Sequence, residues 1–243
     1  MDPFILQSKN QLLSLLPAAE WQRWHPWFEL VELPTGKVLH EPGERLSHVY
    51  FPLSAVVSIC HVTTAGDMTK VALIGHEGVV GISSLMGGGC TNTHAVLIHG
   101  GHALRMRSSL IKNDFEHPGP VQRLLLRYVQ AMIAQIGQTA VCNRHHSVDQ
   151  ALNRWLLLCL DRIPDGDLAM TQELIANMLG VRREGITDAA LKLQRAGLIR
   201  YARGHITVID RAGLEHLSCE CYQAVKHEYD RLLHLKPAID LIA

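Results

Sequence analysis

Residues 171–209, TQELIANMLGVRREGITDAALKLQRAGLIRYARGHITVI, leave few ways to fold. Thr171 is placed to cap a helix that runs to about Leu179, and its exposed amide end can face a phosphate. Gly180 supplies the turn, where a backbone φ above zero is needed. A second helix starts near Arg182 and runs through Gln194, and Ala196-Gly197 ends it. Two helices that cross steeply need a small residue where they touch, and Ala176 is that residue. Ile186 points from the second helix back into the core. The opposite face then carries Arg182, Arg183, Glu184 and Thr187. A short basic hairpin follows, with Tyr201-Ala202-Arg203-Gly204-His205 between two β-type runs. The pattern is a helix-turn-helix followed by a wing, and its outer face suits a DNA major groove.

An amphipathic helical hairpin with no role in nucleic-acid binding is the alternative. Charge weighs against it. The stretch from Val181 to Arg211 holds six Arg and one Lys against three acids, within a chain of formal net charge zero. Any nucleic-acid surface must therefore be local. Arg182, Arg183 and Glu184 sit at the helix end that reaches base edges. Thr171, Lys192, Arg203 and His205 are better placed for phosphates. Gln172 and Thr187 complete the candidate DNA-binding set.

At 243 residues the chain can hold two domains and a sizeable core. No apolar run approaches the roughly 18 residues of a membrane span. Met1-Asp2-Pro3-Phe4 lacks a basic leader, which predicts a cytoplasmic chain. The six cysteines are scattered without a zinc-type C-x-x-C pair and read as reduced thiols, several of them core residues.

Residues 10–28 suggest short helices broken at Pro17 and Pro26. From Leu30 to Arg107, short β-type runs alternate with Gly- and Pro-containing turns. Val56–Val62 and Met68–Leu73 flank Ala65-Gly66-Asp67 as a hairpin. Such spacing predicts an antiparallel sandwich or barrel. Gly119-Pro120 then opens a long helix. Val121, Leu125, Tyr128, Met132, Ile136 and Thr139 recur along it in steps of three and four. About 25 helical residues span nearly 40 Å. With no second helix of similar length nearby, this stripe predicts a parallel coiled-coil dimer; packing on the β-domain is the other reading, and both can hold in different stretches. A further helix runs from Ser147 to Arg162, and Pro164-Asp165-Gly166-Asp167 turns toward the helix-turn-helix. Asp210 caps a last helix with the stripe Leu214, Leu217, Cys221, Val225, Tyr229 and Leu232, ended by Pro237.

This order of parts resembles the Crp/Fnr family of bacterial transcription regulators over roughly residues 10–210. Val49-Tyr50-Phe51-Pro52-Leu53, Gly75-His76-Glu77-Gly78-Val79-Val80-Gly81, Thr171-Gln172-Glu173 through Gly180, and Arg195-Ala196-Gly197-Leu198-Ile199 carry the resemblance. It implies an α+β chain with an antiparallel, jelly-roll-like β-roll sensor domain over 1–118. A dimerisation helix follows over 119–146, a winged helix-turn-helix over 147–213 and a helical extension over 214–243. It also implies effector binding to the roll that shifts the dimer helices and re-aims the DNA-reading helices. The partners implied are double-stranded DNA, a second copy of the chain, RNA polymerase and a small-molecule effector of unknown identity, with no membrane.

Three departures refine this. Cyclic-AMP-binding members hold the ribose with a carboxylate and the phosphate with an arginine; the matching effector-pocket positions are Gly81-Ile82-Ser83 and Thr93-His94-Ala95. A buried phosphate without a cation is costly, so cyclic AMP is not expected to bind. Oxygen-sensing members use clustered N-terminal cysteines, whereas the first here is Cys60. On the reading helix Arg183-Glu184 and Thr187 match, but Asp188 stands where family members carry a guanine-contacting arginine.

His61, His94, His99 and His102 match no metal template and read as ordinary surface or core histidines. Cys219-Glu220-Cys221 would place two thiols about 200° apart on a helix, one inward and one near solvent. No metal, cofactor or catalytic residue is expected. A cupin-type metal enzyme would need a His-x-His pair, which is absent. A regulator whose β-roll is a ligand-free dimer scaffold is the other alternative.

Overall fold

The computed structural model describes residues 3–87, 89–163 and 167–233. Three short helices come first: α1 (Pro3–Ser8), α2 (Gln11–Ser14) and α3 (Ala18–Trp24). Asn10 explains how they are seated. Its Oδ1 accepts from the Leu13 amide at 3.1 Å, capping α2, while Nδ2 donates to the carbonyls of Pro52 at 2.9 Å and Gly78 at 3.0 Å. A buried amide with these bonds satisfied is a positional lock rather than a cost. Trp21, Trp24, Phe28 and Phe51 pack beside it, Phe28 meeting Phe51 edge-on at 5.5 Å.

Seven strands build the β-roll: β1 (Glu29–Leu33), β2 (Val38–His40), β3 (His48–Pro52), β4 (Val56–Val62), β5 (Met68–Ile74), β6 (His94–His99) and β7 (Gly101–Arg107). One sheet has the order β1-β7-β3 and the other β2-β6-β4-β5, with antiparallel pairing throughout. The β4–β5 hairpin pairs Val57 with Ile74 and Val62 with Met68. Leu33, Val57, Ile59, Ala72, Ile74, Ala95 and Leu97 fill the space between the sheets. Helix α4 (Ser108–Glu116) follows, a helix the sequence reading lacks. It buries only Ile111 among its side chains, so it shows almost no apolar period.

Helix α5 (Pro120–His145) and helix α6 (Val148–Leu160) meet at Ser147, whose side chain and Gln150 form a reciprocal cap. Beyond them lie β8 (Asp167–Ala169), α7 (Gln172–Leu179), α8 (Arg183–Arg195), β9 (Ile199–Ala202), β10 (His205–Val208), α9 (Arg211–Leu217) and α10 (Glu220–Leu233). The sequence reading has a single last helix; Ser218 and Cys219 break it into α9 and α10. Leu217 is consequently exposed rather than part of one apolar stripe. Cys219 lies before α10, so it and Cys221 do not occupy opposite faces of a helix, and both are buried. The turn expected at Pro164–Gly166 and the stop at Pro237 fall outside the described residues.

The expected dimer stripe changes most. Val121, Leu125, Tyr128 and Thr139 are buried within the protomer, Met132 is half-buried, and of the six only Ile136 is exposed. Tyr128 donates to the Val79 carbonyl at 3.0 Å, and Thr139 accepts from Arg154 at 3.1 Å. The other reading of the stripe, packing on the β-domain, holds here, and the shorter α10 runs along α5 as well: Gln135 Nε2 donates to the Leu73 carbonyl at 3.2 Å and to Tyr229 Oη at 2.8 Å. What α5 leaves exposed is a second stripe, Leu126, Ile133, Ile136 and Ala140, with half-buried Val129. Its steps alternate three and four, the period of a two-stranded seam.

The helix-turn-helix is seated on the roll. Ser58 Oγ donates to Met178 Sδ at 3.3 Å, and Cys60 Sγ lies 3.8 Å from the same sulfur. A buried ion pair at 2.8 Å joins Glu77 of the roll to Arg162 just beyond α6. Among the described residues no helix is long and apolar enough to cross a membrane.

Candidate nucleic-acid interface

Helix α7 begins at Thr171, whose Oγ1 accepts from the Leu174 amide at 3.2 Å. It ends at Gly180, with φ +66°. A side chain there would be strained, and its Cβ would sit 3.2 Å from Thr69 Oγ1 of β5. Ala176 is buried on α7, and Ile186, Ala189, Ala190 and Leu193 form the inner face of α8. Arg182, Arg183, Glu184 and Asp188 are left on the exposed side.

Thr187 Oγ1 donates to Gln172 Oε1 at 2.7 Å, tying the start of α7 to the first turns of α8. That bond sets the amide of Gln172 and the hydroxyl of Thr187 before any ligand arrives. Lys192 is paired with Asp149 of α6 at 2.7 Å. An exposed pair of this kind is worth about 0–1 kcal/mol, so it holds the side chain weakly. The β9–β10 hairpin turns through Arg203 (φ 52°) and Gly204 (φ 78°). Two positive φ values match the twist of a two-residue hairpin, and they put Arg203 at the exposed tip with His205 following it.

The structure separates the expected effector-pocket residues. A cavity of about 290 Å³ is lined by Leu39, His40, Arg45, His48, Tyr50 and Gly81 among others. Gly81 has φ +91°, and a Cβ there would lie 3.0 Å from the His48 carbonyl. Ile82, Ser83, Thr93 and His94 do not line this cavity. Ile82 packs into the core. Thr93 Oγ1 is bonded to His40 Nε2 at 3.2 Å and Thr91 Oγ1 at 2.9 Å. His94 pairs with Glu41 at 2.7 Å and faces a different cleft, of about 780 Å³, between the roll and α7. Arg45 and His48 escaped the sequence reading, because matching the nucleotide cassette points to β6 and not to the loop after β2. Burial pushes His40 and His48 below the usual histidine range.

Residues 150–217 match the family described as the Crp-like helix-turn-helix domain. The global nitrogen regulator of Synechocystis sp. is 27% identical over 181 residues, covering 71% of this chain and 80% of that protein. The protein of the same name from a Nostoc species is 28% identical, covering 71% and 81%. Among solved structures, a putative transcriptional regulator of the Crp/Fnr family from Eubacterium rectale superposes with a TM-score of 0.68 at 18% identity, covering 86% of this chain and 98% of its own. FixK2 from Bradyrhizobium japonicum gives 0.67 at 17% identity, covering 79% and 98%. A β-roll, a long helix and this wing-bearing pair of helices define a helix-turn-helix DNA-binding protein. Residues 150–217 form a Crp-like helix-turn-helix domain, and the chain shares the fold of the Crp/Fnr structures.

Proposed function

We propose that the protein acts in the cytoplasm as a homodimer, with two copies of α8 entering successive major grooves of a near-palindromic site. The observation that carries this reading is the outward face of α8. Arg182, Arg183 and Glu184 are exposed together at its N-terminal end, and Arg203 is exposed on the adjoining wing. Half-site centres about 34 Å apart fit one helical turn of DNA. The exposed stripe Leu126, Ile133, Ile136 and Ala140, with half-buried Val129, is the seam, replacing the buried positions as the dimer contact. The roll over 1–118 senses, α5 joins the copies, and the region over 147–213 reads DNA, with RNA polymerase as the further partner at a promoter.

The two classes of cation are expected to behave differently. Arg183→Ala lowers affinity for the cognate site by about 1–3 kcal/mol and relaxes the preference at one base pair. Arg203→Ala weakens binding to every sequence and reduces the salt slope by about one unit for each phosphate it no longer neutralises. Competition assays against a randomised site, repeated over a salt series, separate these results. Equal losses on cognate and random DNA for Arg183→Ala, with sequence preference unchanged, would remove α8 as the reading helix.

The effector fills the cavity beside Gly81 and is not cyclic AMP. Ile82 is turned into the core and Thr93 is engaged by His40, so the two cassette positions offer neither carboxylate nor cation; the charged groups of the cavity, Glu44 and Arg45, come instead from the loop after β2. Calorimetry with cyclic AMP is expected to show no heat of binding at micromolar concentrations. A clear isotherm with one site per chain would overturn that expectation.

A further inference from the structure

Four ligand-type side chains far apart in sequence converge where α5 gives way to α6. Cys142 sits in the last turn of α5 and His146 just past its end, four residues on. Cys219 lies in the break between α9 and α10, and Cys221 in the first turn of α10. Their three sulfurs and one ring nitrogen all lie within 4.8 Å of one another. We propose that Cys142, His146, Cys219 and Cys221 form a mononuclear, tetrahedral Zn²⁺ site that clasps the end of α5 to the start of α10.

The distances suit one ion. With Zn–S near 2.3 Å and Zn–N near 2.05 Å, a tetrahedron has S···S edges of about 3.8 Å and S···N edges of about 3.6 Å. Cys142 Sγ and Cys219 Sγ are 3.7 Å apart, and Cys221 Sγ is 3.4 Å from His146 Nδ1. An iron–sulfur cluster spreads its cysteines over separate irons and needs a wider set. Three cysteines and a histidine are a closed structural zinc set, with no position left for a substrate.

The surroundings carry the same signature. His146 offers Nδ1 to the sulfur cluster, while its Nε2 lies 3.2 Å from Glu220 Oε1. A carboxylate behind a ligating imidazole fixes the tautomer that leaves the other nitrogen free to bind metal. Gln138 Nε2 donates to Cys221 Sγ at 3.1 Å. Arg154 provides the independent observation. It is 2% exposed, and its Nε has no hydrogen-bond partner. Its guanidinium donates to Thr139 Oγ1 and forms no carboxylate pair among the described residues, yet it stands within electrostatic reach of Cys142, Cys219 and Cys221. Three thiolates, a neutral imidazole and Zn²⁺ sum to one negative charge, which offsets the buried cation. On binding, three thiol protons leave to solvent and four metal–ligand bonds form, with no electron transfer.

The sequence hides this site. Metal ligands usually announce themselves as C-x₂₋₄-C pairs. Here one half is Cys-x-x-x-His at a helix end and the other is Cys-x-Cys at a helix break, and only the packing of α10 along α5 unites them.

The test uses the full-length protein purified under reducing conditions without added metal. Elemental analysis is expected to find about one zinc per chain. After chelation under reducing conditions, Co²⁺ titration should give intense tetrahedral ligand-field bands and a thiolate charge-transfer band that saturate at one equivalent, and Zn²⁺ should bleach both. Cys221→Ser should remove the share of the charge-transfer band that its sulfur carries and weaken Co²⁺ binding at least 100-fold. Glu220→Gln, a surface change that spares the fold, should weaken it 10–100-fold. Chelation should lower the melting temperature of the unmodified protein and leave Cys221→Ser unchanged. A protein without zinc whose Co²⁺ spectrum stays weak and octahedral overturns the proposal. So does mass spectrometry that finds a Cys142–Cys219 disulfide in place of bound metal. None of these readouts depends on DNA binding.

Discussion

Ile133→Glu with Ile136→Glu is expected to yield monomers at micromolar concentration while leaving the circular dichroism spectrum unchanged. Both side chains are exposed in the protomer, Ile133 at 65%. Neither change therefore opens a cavity in the protomer core. In a parallel pair each residue meets its symmetry mate, so two substitutions remove four buried isoleucines and bring like charges together. At about 1.5–3 kcal/mol for each buried side chain, the loss raises the dissociation constant by more than about a thousandfold. Sedimentation equilibrium reads it directly. Leu125→Ala is the contrasting variant, because Leu125 is covered within the chain. It should cost about 2–5 kcal/mol of folding stability and leave the association constant alone. Dimers that survive both glutamates would place the seam elsewhere.

Glu77→Ala is expected to destabilise the fold by about 3–5 kcal/mol in urea unfolding. The carboxylate accepts from Arg162 at 2.8 Å and from the Gly75 amide at 3.1 Å, and both members of the ion pair are buried. Removing it strands a guanidinium whose other bond is to the Leu158 carbonyl. Replacing both members, as in Glu77→Leu with Arg162→Met, should recover most of the loss, since no charge is then left alone. A small effect for Glu77→Ala would mean that water reaches Arg162 in solution.

The helix-turn-helix was legible because it is local. Thr171, Ala176, Gly180 and Ile186 each answer to a backbone or packing need within a few residues, and the structure puts each where that need lies. The β4–β5 hairpin was legible for the same reason. The exposed stripe proposed as the dimer seam was not, because α5 carries two apolar stripes. One contains Val121, Leu125 and Tyr128, the other Leu126, Ile133 and Ile136, and periodicity alone does not say which meets another chain. The buried stripe is held by partners remote in sequence: Tyr128 bonds to Val79 of the roll, and Gln135 further along α5 bonds to Tyr229 of α10, beyond the whole helix-turn-helix region. The cavity beside Gly81 was half legible: the glycine came from matching the nucleotide cassette, while Arg45 arrives from a loop with no periodic signal.

The seat of α7 on the roll has a mechanical consequence. Met178 meets Ser58 and Cys60 through a thioether, a soft acceptor on a side chain with three rotatable bonds. Such a joint resists separation, because its apolar surface is dry, yet it has little directional stiffness against sliding. The reading head is thus mounted on a greased bearing rather than bolted to the sheet. The buried Glu77–Arg162 pair is directional where the thioether contact is not, so sliding of α7 over β4 and β5 is expected to cost less than separating Arg162 from the roll.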